Sequence, residues 1–117
     1  MSKIPIYVIN LNRSPDRWDS ISQQLANVKA NVTVERCPAV DGQSNAITRY
    51  YARVDQKKAT AIKGRPLSDG QIGCFASHHH IWEKIAINSG AAVILEDDAQ
   101  IDPDALSRVV NDAYHLP

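Results

Sequence analysis

The stretch IPIYVINLNRSPDRW (residues 4–18) changes character in its middle. Residues 4–9, IPIYVI, are an almost unbroken apolar run. Such runs belong to strands buried on both faces, as in the parallel sheets of α/β proteins. A polar segment follows, and then Ser14 and Pro15, which suit the cap and first turn of a helix. Trp18, Ile21, Leu25 and Val28 recur at helical spacing, so a helix is expected from Pro15 to about Asn27. Residues 32–36, VTVER, form a second short strand. Strand, helix, strand is the opening of a parallel sheet with a right-handed crossover.

Further along, PAVDGQ (38–43) reads as a loop turning at Asp41-Gly42. A weak helix is expected over about 45–53. QKKATAIKGRP (56–66) is basic and aperiodic, and is expected to be a mobile surface segment. Ser68 opens the strongest local signal: in S-D-G-Q the Ser68 hydroxyl can take the amide of Gln71 while the Gln71 side chain reaches back. Ile72, Phe75, His79, Trp82 and Ala86 then fall on one helical stripe, and Gly90 can end the helix. AAVIL (91–95) is the third strand, and Glu96, Asp97 and Asp98 follow at its end. Asp102-Pro103 starts a last helix that turns Leu106, Val109, Val110 and Ala113 inward.

The 117 residues suit one small domain, and 44% hydrophobic content is enough for a core. Lys+Arg and Asp+Glu both number 13, so the net charge is zero, unlike the basic balance of a general nucleic-acid binder. No apolar run approaches the roughly 18 residues of a membrane span. The first residues run straight into a strand and do not resemble a signal peptide. Cys37 and Cys74 are far apart in sequence and read as two ordinary thiols of a reduced, cytoplasmic chain.

In an open α/β sheet, ligands bind outside the carboxyl ends of the strands. Two polar clusters fall there: Asn10-Leu11-Asn12-Arg13 after the first strand, and Glu96-Asp97-Asp98 after the third. Mg²⁺ and Mn²⁺ prefer oxygen ligands and often sit between one or two carboxylates and substrate phosphates. In extended backbone, Glu96 and Asp98 would face one side and Asp97 the other. Such an ion would relieve the repulsion among the acids; the plainer alternative is a solvated turn. Arg13 and Arg17 flank a helix start whose amides favour an anion, and guanidinium matches phosphate geometry. For Arg17 the alternative is a surface pair with Asp16 or Asp19. Successive helical residues point about 100° apart, so His78, His79 and His80 cannot share one ion. His79 is expected to pack, His80 to be exposed, and His78 to be the candidate ligand contact, beside the small residues Gly73, Cys74 and Ser77.

Taken in order, IYVINLNRSPDRW, RCPAVDGQ, LSDGQIGCFASHHHIWEKI and AVILEDDAQ resemble glycosyltransferase family 25, which includes lipooligosaccharide and lipopolysaccharide sugar transferases and collagen galactosyltransferases. The resemblance spans the chain except about 43–66 and the last helix. It implies a GT-A-like, Rossmann-like fold: an open, mainly parallel sheet flanked by helices, here incomplete. It implies one nucleotide-sugar-binding domain over 1–117, like the N-terminal part of a longer enzyme of roughly twice this length. The activity implied is inverting transfer of a sugar, commonly galactose, from a UDP-sugar to a lipooligosaccharide or other glycan. Carried over by position, Glu96 and Asp98 would hold Mn²⁺ or Mg²⁺, and Asn10, Arg13, Arg17, Ser77 and His78 would bind the donor. The catalytic base is not identified by the resemblance: Asp97 is a candidate better read as structural, and the remainder of the longer enzyme would be expected to carry the base and much of the acceptor site. Asn12 and Gln71 stand where the family often has an acid. A cytoplasmic protein touching the inner membrane would follow, and an open sheet edge would favour a homodimer. The alternative is a truncated, non-catalytic nucleotide-sugar-binding module. A signalling receiver domain has similar length, but would need acids after its first strand, where Asn10 and Asn12 stand.

Overall fold

The computed structural model describes residues 3–88, 90–113 and 115. Three strands, β1 (Ile4–Asn10), β2 (Val32–Pro38) and β3 (Val93–Glu96), form one parallel sheet in the order β2-β1-β3. Ile4 pairs with Val32 and Asn10 with Pro38 on one side of β1, while Ile6 pairs with Val93 and Ile9 with Glu96 on the other. The chain is therefore α/β, an open parallel sheet flanked by helices: a partial Rossmann-like fold. It moves from β1 to one side and returns to the other, so the connections diverge between β1 and β3. Ligand crevices open at such a switch point, beyond the strands' carboxyl ends.

The apolar run of β1 is buried on both faces. Ile6 and Val8, with no exposed surface, pack with Ile21 and Leu25 of helix α1 (Pro15–Leu25). Tyr7 and Ile9 point the other way, against Cys37 and against Ile81 of helix α3 (Asp69–Asn88). Each such aliphatic residue contributes about 1.5–3 kcal/mol when fully buried. Helix α4 (Pro103–Ala113) adds Leu106 to the first cluster.

Several elements differ from the sequence reading. α1 ends at Leu25 rather than near Asn27, and the Ser14 side chain makes no cap bond; its carbonyl instead accepts from Asn10 Nδ2 at 3.0 Å. The weak helix over Asn45–Arg53 is a 3₁₀ segment. The basic stretch expected to be irregular forms a helix, α2 (Gln56–Lys63). Asp55 caps it through Lys58 N, and Gly64 ends it at φ +82°, a left-handed conformation that suits glycine. None of its residues is buried, so no apolar periodicity marked it. The strand β3 runs one residue further than expected and takes in Glu96. In α4 Val110 is buried but Val109 is 61% exposed.

The largest correction concerns α3. Its capping box forms: Gln71 N donates to Ser68 Oγ at 3.2 Å, and Ser68 N donates to Gln71 Oε1 at 2.9 Å. The inward face is Ile72, Gly73, Ala76, Ser77 and Ile81. Phe75 and Trp82, placed in the core by the sequence stripe, are 48% and 49% exposed. His79 packs against their rings at the surface and lies 3.1 Å from Glu83. Small residues won the interior because a backbone segment lies there: a Cβ on Gly73 would stand 2.6 Å from the Val40 carbonyl oxygen. His80 is exposed, as expected, with its ring bonded to Tyr50. Both cysteines are free. Among the described residues, no helix is long and apolar enough to cross a membrane.

Candidate functional site

An open cleft of about 470 Å³ lies at the carboxyl ends of the strands. Leu11, Arg13 and Arg17 line it from the turn after β1 and the start of α1. The 39–43 loop after β2 forms another wall, as do Gly70, Cys74, Ser77 and His78 of α3. Glu96, Asp97 and Asp98 line it from the end of β3. The two polar clusters read from the sequence thus meet in one space.

The acids do not alternate. β3 ends at Glu96, and Asp97 and Asp98 belong to a turn, so the two-residue period of a strand no longer applies. All three acids line the cleft. Asp97 carries its own compensation: Asn10 Nδ2 donates to its Oδ2 at 2.8 Å, and Arg17 lies 3.6 Å from Oδ1. Its side chain is only 11% exposed. Arg17 therefore pairs with Asp97, not with Asp16 or Asp19. Glu96 and Asp98 are exposed to the cleft. Glu96 Oε1 accepts a long bond, 3.7 Å, from the Cys74 thiol. Burial pushes that thiol's pKa up, and the Glu96 carboxylate adds to the effect, so the thiol stays a donor.

Asn10 stands behind the cleft wall rather than in it. It is 1% exposed, and its amide is spent on the protein. Nδ2 serves Ser14 O and Asp97; Oδ1 accepts from Arg36 Nε at 2.8 Å. The same arginine donates to Asn12 Oδ1 at 2.7 Å. Ser77 is also occupied: its Oγ donates to Gly73 O at 2.7 Å and accepts from Val40 N at 2.9 Å, which fixes the loop after β2. Arg13 Nε donates to Asp41 Oδ2 at 2.9 Å, and this bond, with one from Gln43 N–H, holds the Asp41 carboxyl below the usual aspartate range. His78 Nδ1 lies 2.9 Å from the Cys74 carbonyl oxygen.

Sequence reasoning missed Arg36 and Asp41. Asp41 lies beyond the end of β2, where the rule that drew attention to the other two strand ends applies equally. Nothing local marked Arg36 as the partner of an asparagine 26 residues away.

Among the described residues, no group of three or more His, Cys, Asp or Glu side chains is gathered to hold a metal ion. Two exposed carboxylates, Glu96 and Asp98, remain. That donor set fits a hard divalent ion whose other ligands come from phosphate oxygens and water.

The chain is an α/β domain whose open parallel sheet brings arginines and carboxylates together at its switch point, where ligands bind in folds of this class. A family model described as glycosyltransferase family 25 (LPS biosynthesis protein) matches residues 3–114, and the chain belongs to that family. It is 34% identical to a glycosyltransferase 25 family member of Aedes aegypti, over 95% of this chain and 19% of that protein. It is 32% identical to the inactive glycosyltransferase 25 family member 3 of Homo sapiens, over 89% of this chain and 18% of the relative. With procollagen galactosyltransferase 1-B of Xenopus laevis it shares 31% identity, over 87% of this chain and 17% of the relative. The chain thus spans about a fifth of these relatives' length, not the half expected from the sequence resemblance.

Proposed function

We propose that the cleft binds the diphosphate of a UDP-sugar, and that the chain acts in metal-dependent, inverting transfer of that sugar, galactose in the first instance. One observation carries the reading: the arginines after β1 and the carboxylates after β3 share a single cleft at the sheet's switch point. Glu96 and Asp98 would hold Mn²⁺ or Mg²⁺, which when bound supplies Lewis-acid stabilisation to the leaving diphosphate. Arg13, oriented by Asp41, offers its guanidinium to the same phosphates. Arg17 and Asn10 act one step back: they hold Asp97, so that the acids on either side of it reach the cleft. Asp97, paired and nearly covered, is a positioning residue rather than the base. Ser77 plays the same part for the 39–43 loop.

The acceptor is a hydroxyl of a glycan or glycoprotein, since the family description names LPS biosynthesis and one relative is named for procollagen. The open outer edge of β3 is assigned to pairing with a further strand, from a second copy or a longer chain.

A second reading has its own support. Relatives from Homo sapiens and Bos taurus are named inactive or probable inactive members. Under that reading the cleft binds the donor without turnover. Mn²⁺-dependent binding of UDP tests what the two readings share. Release of UDP from UDP-galactose separates them: turnover supports the transferase, and tight binding without release supports the silent module.

A further inference from the structure

Sugar transfer to a hydroxyl needs a group to take the hydroxyl's proton. The side chains lining the cleft differ in their fitness for that task. Asp41 is held ionised by Arg13 and is a weak base. Asp97 is engaged by Asn10 and Arg17. Asp69 lies against Tyr51, whose pKa its carboxylate raises. Cys74 keeps its proton and gives it to Glu96 in a hydrogen bond. Glu96 and Asp98 are assigned to the metal, and Arg13 and Arg17 have no basic atom to offer.

Among the described side chains that line the cleft, that leaves His78. Nδ1 lies 2.9 Å from Cys74 O and 3.9 Å from Cys74 Sγ; the shorter contact is to an oxygen that only accepts, so the ring hydrogen is assigned to Nδ1. In the neutral ring Nε2 is then an acceptor with a bare lone pair. The Trp82 ring lies beside the imidazole, with ring centroids 6.1 Å apart. A base oriented through its other ring nitrogen is the arrangement general-base catalysis uses.

We infer that His78 Nε2 accepts the proton of the attacking hydroxyl. The proposal rests on the transferase reading above. The hydroxyl oxygen forms the new bond to the anomeric carbon as its O–H bond breaks and the proton passes to Nε2. The bond from the anomeric carbon to the diphosphate oxygen breaks, and its electron pair leaves with UDP. The imidazolium returns its proton to water. The Cys74 carbonyl stabilises that imidazolium through Nδ1–H.

The test uses the full chain with Mn²⁺ and UDP-galactose, water serving as acceptor, and follows UDP release across pH. His78→Asn keeps a donor for the Cys74 carbonyl and removes the base; His78→Gln instead places an amide near Nε2. Because His78 lines the donor cleft, KM should rise somewhat in both variants, by much less than kcat falls. Their kcat should fall by about 10²–10⁴-fold. The limb of the rate profile that falls toward low pH should move to lower pH, and added imidazole should restore part of the rate to His78→Asn. Retention of the parent kcat, or of the acid limb at the parent's pH, in a folded variant overturns the assignment. So does a parent that binds UDP and releases none from UDP-galactose. A parent that does not bind UDP removes the donor-cleft reading itself, a separate failure visible before any kinetics.

Discussion

Asn10 Nδ2 donates to Asp97 Oδ2 at 2.8 Å, joining the ends of β1 and β3 across 87 residues of sequence. The same amide reaches β2 through Arg36, so one buried side chain links the carboxyl ends of all three strands. Replacing it with alanine would leave a carboxylate and a guanidinium short of partners in a partly dry site. Asn10→Ala is therefore expected to lower stability by about 2–3 kcal/mol and to weaken UDP binding, although the residue does not line the cleft. Urea unfolding and UDP titration check both effects. A variant as stable as the parent would show that water replaces the amide without loss.

The pair Arg13–Asp41 makes a prediction about pH. Arg13 depresses the folded-state pKa of Asp41 below its unfolded value. Any stability it lends is present above the unfolded pKa and is lost as pH falls through the folded one. The pair lies at the surface, with Arg13 half exposed, so the effect is small and salt-sensitive. In Arg13→Gln, Asp41 should titrate closer to an ordinary aspartate, as NMR of its carboxyl carbon will show. An unchanged titration would mean that the Gln43 amide alone sets it.

Gly73 sets two principles against each other. Helix propensity favours Gly73→Ala by about 1 kcal/mol. Contact opposes it, because the new Cβ would sit 2.6 Å from Val40 O, a backbone atom that moves only with its loop. Overpacking of that kind costs about 1–3 kcal/mol, so a net loss is expected, with the 39–43 wall of the cleft displaced. Denaturant unfolding decides the sign; a more stable variant would mean that α3 and the loop stand further apart than described.

The face that α3 buries is tested by neighbouring residues. Ile81, 1% exposed, should cost about 2–5 kcal/mol on truncation to alanine. Trp82, 49% exposed, should cost no more than about 1 kcal/mol. The reverse order would put the large side chains back inside.

These cases also show what the amino-acid sequence could reveal. β1 was legible because it is covered on both faces and needs no polar side. The S-D-G-Q cap was legible because its geometry is local. The acids were found through the rule for strand ends, and they do meet the arginines. Three things were hidden for physical reasons. α2 buries nothing and so leaves no periodic trace. Between Ile72 and Ile81, the inner face of α3 is taken by Gly73 and Ser77 because the Val40 backbone lies against them, in place of the larger side chains that hydrophobicity selects. The orientation of Asp97 depends on where β3 ends, and a strand's last residue is not written in its composition.

The most direct test of the donor cleft is a calorimetric titration of UDP into the full chain with and without Mn²⁺, repeated on Asp98→Ala. The expected result is UDP binding that requires the metal and weakens by about tenfold or more, roughly 1.4 kcal/mol, when Asp98 is removed. UDP bound equally well without Mn²⁺, or Asp98→Ala matching the parent, would contradict it.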